Sequence, residues 1–295
     1  MNDLLPYRHA VHGVTAALLL ACGPAFAADH SQTLKLSTRR RVETTQGAGQ
    51  YQIAEKLVEW DAKKTALIIC DMWDRHWCKG ATERVAEMAP RMNEVIQEAR
   101  RRGVLIIHCP SDAMNFYAEY PQRKRAQQAP KIPAPADLGK WRSLNLAKEG
   151  PLPIDDSDGG CDDVPQCPGG GPWKRQIAAL EIAPEDAISD NGEEVYSLLQ
   201  QLGIDHVIIM GVHTNMCVLG RSFSIRQMVS LGKNVLLMRD LTDTMYNSRM
   251  RPYVSHFAGT DLVVEHIEKH WCPTITSADI LGGQPFRFKR TAGGH

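Results

Sequence analysis

A cysteine, Cys217, stands in "GVHTNMCVLG" (211–220), between an apolar run that reads as a buried strand and a stretch with helical periodicity. At a helix N-terminus a thiol feels the positive end of the peptide dipoles, which favours the thiolate, the form that attacks carbonyl carbon. The N–H groups of Cys217 and of the turn before it can face a developing oxyanion. Such a nucleophile needs a base that takes its proton and later returns it to a leaving group. Asp71 ends the apolar run "TALIIC" and supplies that carboxylate if the two runs are neighbouring strands. His76 and Trp77 in "DMWDRHWC" are candidate substrate contacts, with Trp73 as pocket wall or core. His108 and His256 read as structural histidines, and His213 matters more for its N–H than for its ring.

These groups meet only if a sheet brings them together. Apolar runs at 65–70, 104–108, 186–189, 206–210, 234–238 and 274–276 read as strands. They alternate with helical patterns at 83–102, 192–202, 217–231 and 260–271. Pro90 is expected to split the first of these helices or to start its second part. The alternation predicts an α/β, three-layer doubly wound, Rossmann-like fold with a six-stranded parallel sheet. Function then collects at the carboxyl ends of the strands, where Asp71, His108 and the turn before Cys217 lie. Residues 28–61 read as an irregular N-terminal lead-in, 62–282 as the catalytic domain and 283–295 as a tail. Between 109 and 175 the pattern dissolves into proline, glycine and charge. A stretch this long is expected to cover the pocket, or a neighbouring subunit's pocket in a homo-oligomer.

Asp71 at the end of the first strand, "GVHTNMCV" some 145 residues later and the following "NVLLMRDLTDT" together resemble the isochorismatase-like cysteine hydrolases. That family includes nicotinamidases, N-carbamoylsarcosine amidase, and biuret and ureidoacrylate hydrolases. The resemblance covers about residues 62–280. It implies that Asp71 is the base and acid, and that Cys217 is the nucleophile. It also implies a cis Val212–His213 peptide, with His213 and Cys217 N–H groups forming the oxyanion hole. The family's catalytic lysine has no counterpart where it is expected: Ser189 and Asp190 stand there. Lys174 in "GPWKRQ", on the excursion, is the candidate replacement. The implied activity is hydrolysis of a C–N bond in a small amide or ureide through a Cys217 acyl-enzyme. The alternatives are a non-catalytic periplasmic binding or scaffold protein, and an isochorismatase-type vinyl-ether hydrolase.

The 295 residues carry 34 basic and 34 acidic side chains, so nothing marks a nucleic-acid or anionic-membrane partner. "VTAALLLAC" followed by Ala25-Phe26-Ala27 reads as a signal peptide over 1–27, too short to span a membrane. A periplasmic or secreted location follows. Of eight cysteines, Cys22 falls in that segment and seven remain. In an oxidising compartment Cys161–Cys167 is the expected disulfide and Cys217 the expected free thiol. No cofactor is required. His108 and Asp112 make an incomplete zinc set, so zinc is not expected. The acidic stretch 155–163, with Asp156 and Asp158, is a candidate calcium loop, although it lacks EF-hand spacing.

Overall fold

The computed structural model describes residues 1–2, 33–135 and 137–289; the signal-peptide reading falls outside them. Within Ser31–His295, the larger of two compact units, six parallel strands form the sheet centre. They are β3 (Thr65–Cys70), β4 (Leu105–Cys109), β5 (Ala187–Ile188), β6 (His206–Val212), β7 (Asn234–Asp243) and β8 (Thr274–Ile275). Each lies on a run that the sequence marks as strand. Buried parallel strands are apolar on both faces. In β3, Ala66, Ile68 and Cys70 enter one core while Leu67 and Ile69 enter the other.

Among the described residues the sheet has eight strands, not six. The segment expected to be an irregular lead-in is a hairpin of β1 (Thr33–Glu43) and β2 (Tyr51–Asp61), antiparallel along its whole length. β1 also meets β8 antiparallel at Arg39–Thr274. Leu34 and Leu36 drop one face of β1 into the core beside Leu67 and Ile280. Most of its other positions carry polar side chains, so it shows no continuous apolar run.

The full order is β2-β1-β8-β7-β6-β3-β4-β5. β3 has β6 on one side and β4 on the other, so the order reverses between β3 and β6. Such a switch point opens a crevice at the strands' carboxyl ends. β6 approaches β3 so closely that a Cβ on Gly211 (φ 117°) would lie 2.0 Å from the Cys70 carbonyl oxygen.

Helix α1 (Lys79–Arg101) covers one face through Val85, Met88, Met92, Val95 and Ile96. Pro90 neither splits nor starts it. Pro90 faces solvent, where water can satisfy the carbonyl that its missing N–H leaves free. The excursion carries α2 (Met114–Tyr117), α3 (Pro121–Gln127) and α4 (Leu146–Glu149). On the other face, α5 (Gly192–Gln201) is capped by Asn191, which accepts from the Glu193 and Glu194 N–H groups. The helix expected over 217–231 is two pieces, α6 (Cys217–Gly220) and α7 (Ile225–Ser230). Arg221 between them is extended (ψ 152°), and the Gly220 carbonyl accepts the Arg142 N–H from the excursion at 2.7 Å. α8 (His256–His270) is capped by Ser255, and α9 (Ala278–Leu281) closes the described chain. Among the described residues no helix is long and apolar enough to cross a membrane.

Candidate active site

Asp71 and Cys217 face each other across the β3–β6 switch point. Asp71 leaves β3 in the left-handed region (φ 47°), which turns its carboxylate back over the strand end. It is fully buried. Oδ1 accepts the Ser111 N–H at 2.8 Å, and Oδ2 accepts Arg221 Nε at 3.1 Å. The Cys217 thiol, 8% exposed, donates to the same carboxylate. Burial raises the Cys217 pKa well above its ordinary value, and the Asp71 charge adds to the rise; Arg221 and the His213 N–H oppose it. Burial also raises Asp71, against the pull of Arg221. Thiol and carboxylate thus share a hydrogen bond beside a fixed positive charge.

The Val212–His213 peptide is cis, as the resemblance implies. The His213 N–H points to Cys217 Sγ, and the His213 carbonyl accepts the Met216 and Val218 N–H groups, closing the turn. Thr214 anchors that turn to the end of β7, its N–H donating to the Asp243 carbonyl at 2.8 Å. The Asp243 side chain binds Arg84 Nε (2.8 Å) and His256 Nε2 (2.9 Å). His108 is likewise structural, held between Gln176 and Asp186.

Lys174 does not supply the cation. Its side chain is exposed, while its N–H donates to Asp74. The cation paired with Asp71 is Arg221, four residues after Cys217. Its guanidinium also reaches Asp112 at 3.3 Å and lies 5.6 Å from the Trp141 ring centre. Sequence reasoning passed over Arg221 because a continuous 217–231 helix made it one more polar position. The i, i+4 spacing from the cysteine was the available signal. Ser189 and Asp190, at the position expected of a lysine, bind Glu194 and the Asp112 N–H instead.

His76 and Trp77 border the crevice. The His76 ring stacks near Trp73 and Trp173 and meets the His213 ring edge-on at 4.8 Å. Burial, with the nearby Arg84 charge, lowers the His76 pKa to about 4, so the ring is neutral near pH 7. Its Nδ1 accepts the Cys78 N–H at 3.1 Å, which leaves the proton on Nε2. His213 Nε2 is buried with no hydrogen-bond partner among the described residues. A cleft of about 430 Å³ lies against His76, Trp77 and Pro168–Pro172.

The excursion lies over this crevice in its own chain. Trp173 stacks on Trp73 at 4.4 Å, Trp141 covers Arg221, and Asp156 accepts Asn215 Nδ2 at 2.7 Å. The aspartates read as a calcium loop are occupied by protein donors: Asp156 by Asn215, and Asp158 by Asn247, Gln166 and the Gly160 N–H. The expected Cys161–Cys167 disulfide is absent. All seven described cysteines are free thiols, and the Cys161 and Cys167 sulfurs both turn to Asp163.

No family model matches the chain, and no curated protein matches it. The solved structures similar to it are isochorismatase-family and cysteine hydrolase proteins. One is a cysteine hydrolase from Pseudomonas syringae pv. phaseolicola, 18% identical over 77% of this chain and 96% of that one, with a TM-score of 0.47. Another is an isochorismatase from Pseudomonas putida KT2440, 14% identical over 74% and 91%, with a TM-score of 0.45. N-carbamoylsarcosine amidase from Thermoplasma acidophilum is 12% identical over 61% and 83%, with a TM-score of 0.35.

Proposed function

We propose that this protein is a cysteine-dependent hydrolase that cleaves the C–N bond of a small amide or ureide. The observation that carries the reading is the buried Asp71–Cys217 pair held beside Arg221. In the proposed cycle the Cys217 sulfur attacks the substrate carbonyl as its proton passes to Asp71. The carbonyl oxygen becomes an oxyanion facing the His213 and Cys217 N–H groups. Asp71 returns the proton to nitrogen, the C–N bond breaks, and an amine or ammonia leaves a thioester on Cys217. Water then gives a proton to Asp71 and its hydroxide to the thioester carbon; the C–S bond breaks, a carboxylic or carbamic acid leaves, and Asp71 returns the proton to the sulfur. Arg221 keeps its proton throughout, so its part is electrostatic: it offsets negative charge on Asp71 and on the sulfur.

Ammonia release from a panel of small amides and ureides tests the reading, with Cys217→Ala as control. Turnover by the parent chain that the variant loses supports it. Saturable binding without ammonia would support a scaffold instead, and turnover that survives Cys217→Ala would point to chemistry independent of the thiol, such as vinyl-ether hydrolysis.

The proposal includes export. An apolar N-terminal run followed by small-x-small residues supports cleavage after Ala27. Cell fractionation with N-terminal sequencing checks it: a periplasmic or secreted chain starting at Ala28 is expected. Homo-oligomer formation is part of the same proposal, and sedimentation velocity measures it.

A further inference from the structure

A second cluster of reactive side chains lies beside the crevice and takes no part in the proposed chemistry. Cys78 caps the N-terminus of α1, while Cys161 and Cys167 come from the excursion. Their sulfurs converge on one oxygen, Asp163 Oδ2, at 3.4, 3.5 and 3.2 Å. A carboxylate oxygen offers two lone pairs, so it is a poor common acceptor for three thiol protons. The same distances suit an ion shared by Cys78, Cys161 and Asp163, with Cys167 at its edge through the same oxygen. With zinc–sulfur bonds of about 2.3 Å and a zinc–oxygen bond of about 2.0 Å, a tetrahedron places each sulfur about 3.5 Å from the oxygen.

Two further observations point the same way. Backbone N–H groups are aimed at these atoms: Ala81 at Cys78 Sγ (3.5 Å), Lys79 at Cys167 Sγ (3.5 Å) and Gly80 at Asp163 Oδ2 (3.0 Å). Such outer-shell donors hold anionic ligands in place. The ligand atoms of Cys78, Cys161 and Asp163 all lie within 4.8 Å of one another, and none of the sulfurs is tied up in a disulfide.

We propose that Cys78, Cys161 and Asp163 bind one Zn²⁺ in a structural site, with Cys167, which meets the same Asp163 oxygen, closing on the ion as fourth ligand. Three thiolates select a soft ion over calcium or magnesium. Four protein ligands close the coordination shell, as in structural rather than catalytic zinc centres. The ion joins the start of α1 to the excursion. Cys78 directly follows His76 and Trp77, and Asp162, beside two of the ligands, holds Arg84 at 2.8 Å. Zinc there fixes the wall of the cleft. This site departs from the sequence expectation, which considered zinc only at His108 and Asp112. It is independent of the proposed hydrolase activity.

The test uses the full chain, purified without chelator under reductant, incubated with zinc sulfate and gel-filtered. Elemental analysis is expected to give about one zinc per chain, falling more than about tenfold in Cys161→Ser and Cys167→Ser while Cys217→Ala keeps it. Serine at these positions could also disturb folding, so cobalt-loaded parent protein provides a second reading. Intense visible bands and thiolate-to-cobalt charge transfer in the near ultraviolet are expected from tetrahedral thiolate ligation. Parent protein that stays free of zinc, or a cobalt spectrum without charge transfer, overturns the proposal. So does peptide mapping that finds any two of Cys78, Cys161 and Cys167 bridged in the natively exported chain.

Discussion

Arginine beside the proposed nucleophile is not a neutral substitute for lysine. Its charge is permanent and its planar fork can hold Asp71 and Asp112 together, where an ammonium offers one compact charge. Arg221→Ala is therefore expected to do two things. Activity in the proposed amide and ureide assay should fall by about 10²–10³-fold, the loss typical of one missing electrostatic stabiliser. Removing the partner of a buried carboxylate should also destabilise the fold by about 3–5 kcal/mol, read by urea titration. Arg221→Lys should recover part of both. The pH profile gives a sharper measurement. Burial raises the Asp71 pKa and Arg221 pulls it down. Asp71 must be ionised to take the thiol proton, so rate falls as pH drops through its pKa. Removing Arg221 raises that pKa further, and the acid limb of kcat/KM should move to higher pH. A limb that stays in place would detach Arg221 from the chemistry. His76, neutral above about pH 4, should contribute no step near neutrality.

At the scale of elements, α4 is only four residues long yet joins two others. Glu149 binds Arg226 of α7 at 2.9 and 3.0 Å, His266 of α8 at 3.0 Å and the Trp271 indole at 2.7 Å. Burial alone would raise the Glu149 pKa, but Arg226 and the other donors outweigh it and hold it at about 2, against 4.5 unperturbed. A depressed folded pKa means stability present above the unfolded value and lost as pH falls toward the folded one. Glu149→Gln should therefore narrow the stability difference between about pH 5 and about pH 3, measured by urea unfolding at each. Pro90→Ala tests the opposite kind of site. It restores a helix hydrogen bond at an exposed position and should stabilise α1 by about 1–3 kcal/mol in the same assay.

The six parallel strands were legible because buried parallel strands are unbroken apolar runs. β1 was not, because only one of its faces is buried and that face ends in Thr38 ahead of three arginines. Asp71 and Cys217 were legible from strand ends and a turn pattern. Arg221 was not, because the break between α6 and α7 comes from the excursion binding Gly220, a contact between residues 78 positions apart. The convergence of Cys78 with Cys161 and Cys167 was hidden for the same reason: spacing along a chain says little about a loop that returns across the sheet.

For the whole molecule, the excursion is a tethered cover. Gly160 (φ 73°) lies so near the backbone after β7 that a Cβ would stand 2.3 Å from the Met245 oxygen. Gly160→Ala should displace this part of the cover at a cost of about 2 kcal/mol or more, lowering activity while circular dichroism keeps the parent's α/β signature. Activity and melting temperature that both match the parent would mean that the excursion is indifferent to its seat.

Asp71 bears on the scaffold alternative. Its left-handed backbone is a conformation that residues with a Cβ adopt at a cost of about 1–3 kcal/mol. Its carboxylate is fully buried, and the buried His213 Nε2 has no partner among the described residues. None of these features improves the fold. Random substitution drifts toward whatever a chain can tolerate, and a strained, dehydrated acid is easily replaced once nothing depends on it. A lineage that used this protein only to hold a ligand would have had many routes to a more relaxed strand end. A strained, dehydrated acid set against a thiol is a cost that proton transfer at Cys217 would account for and ligand holding alone would not.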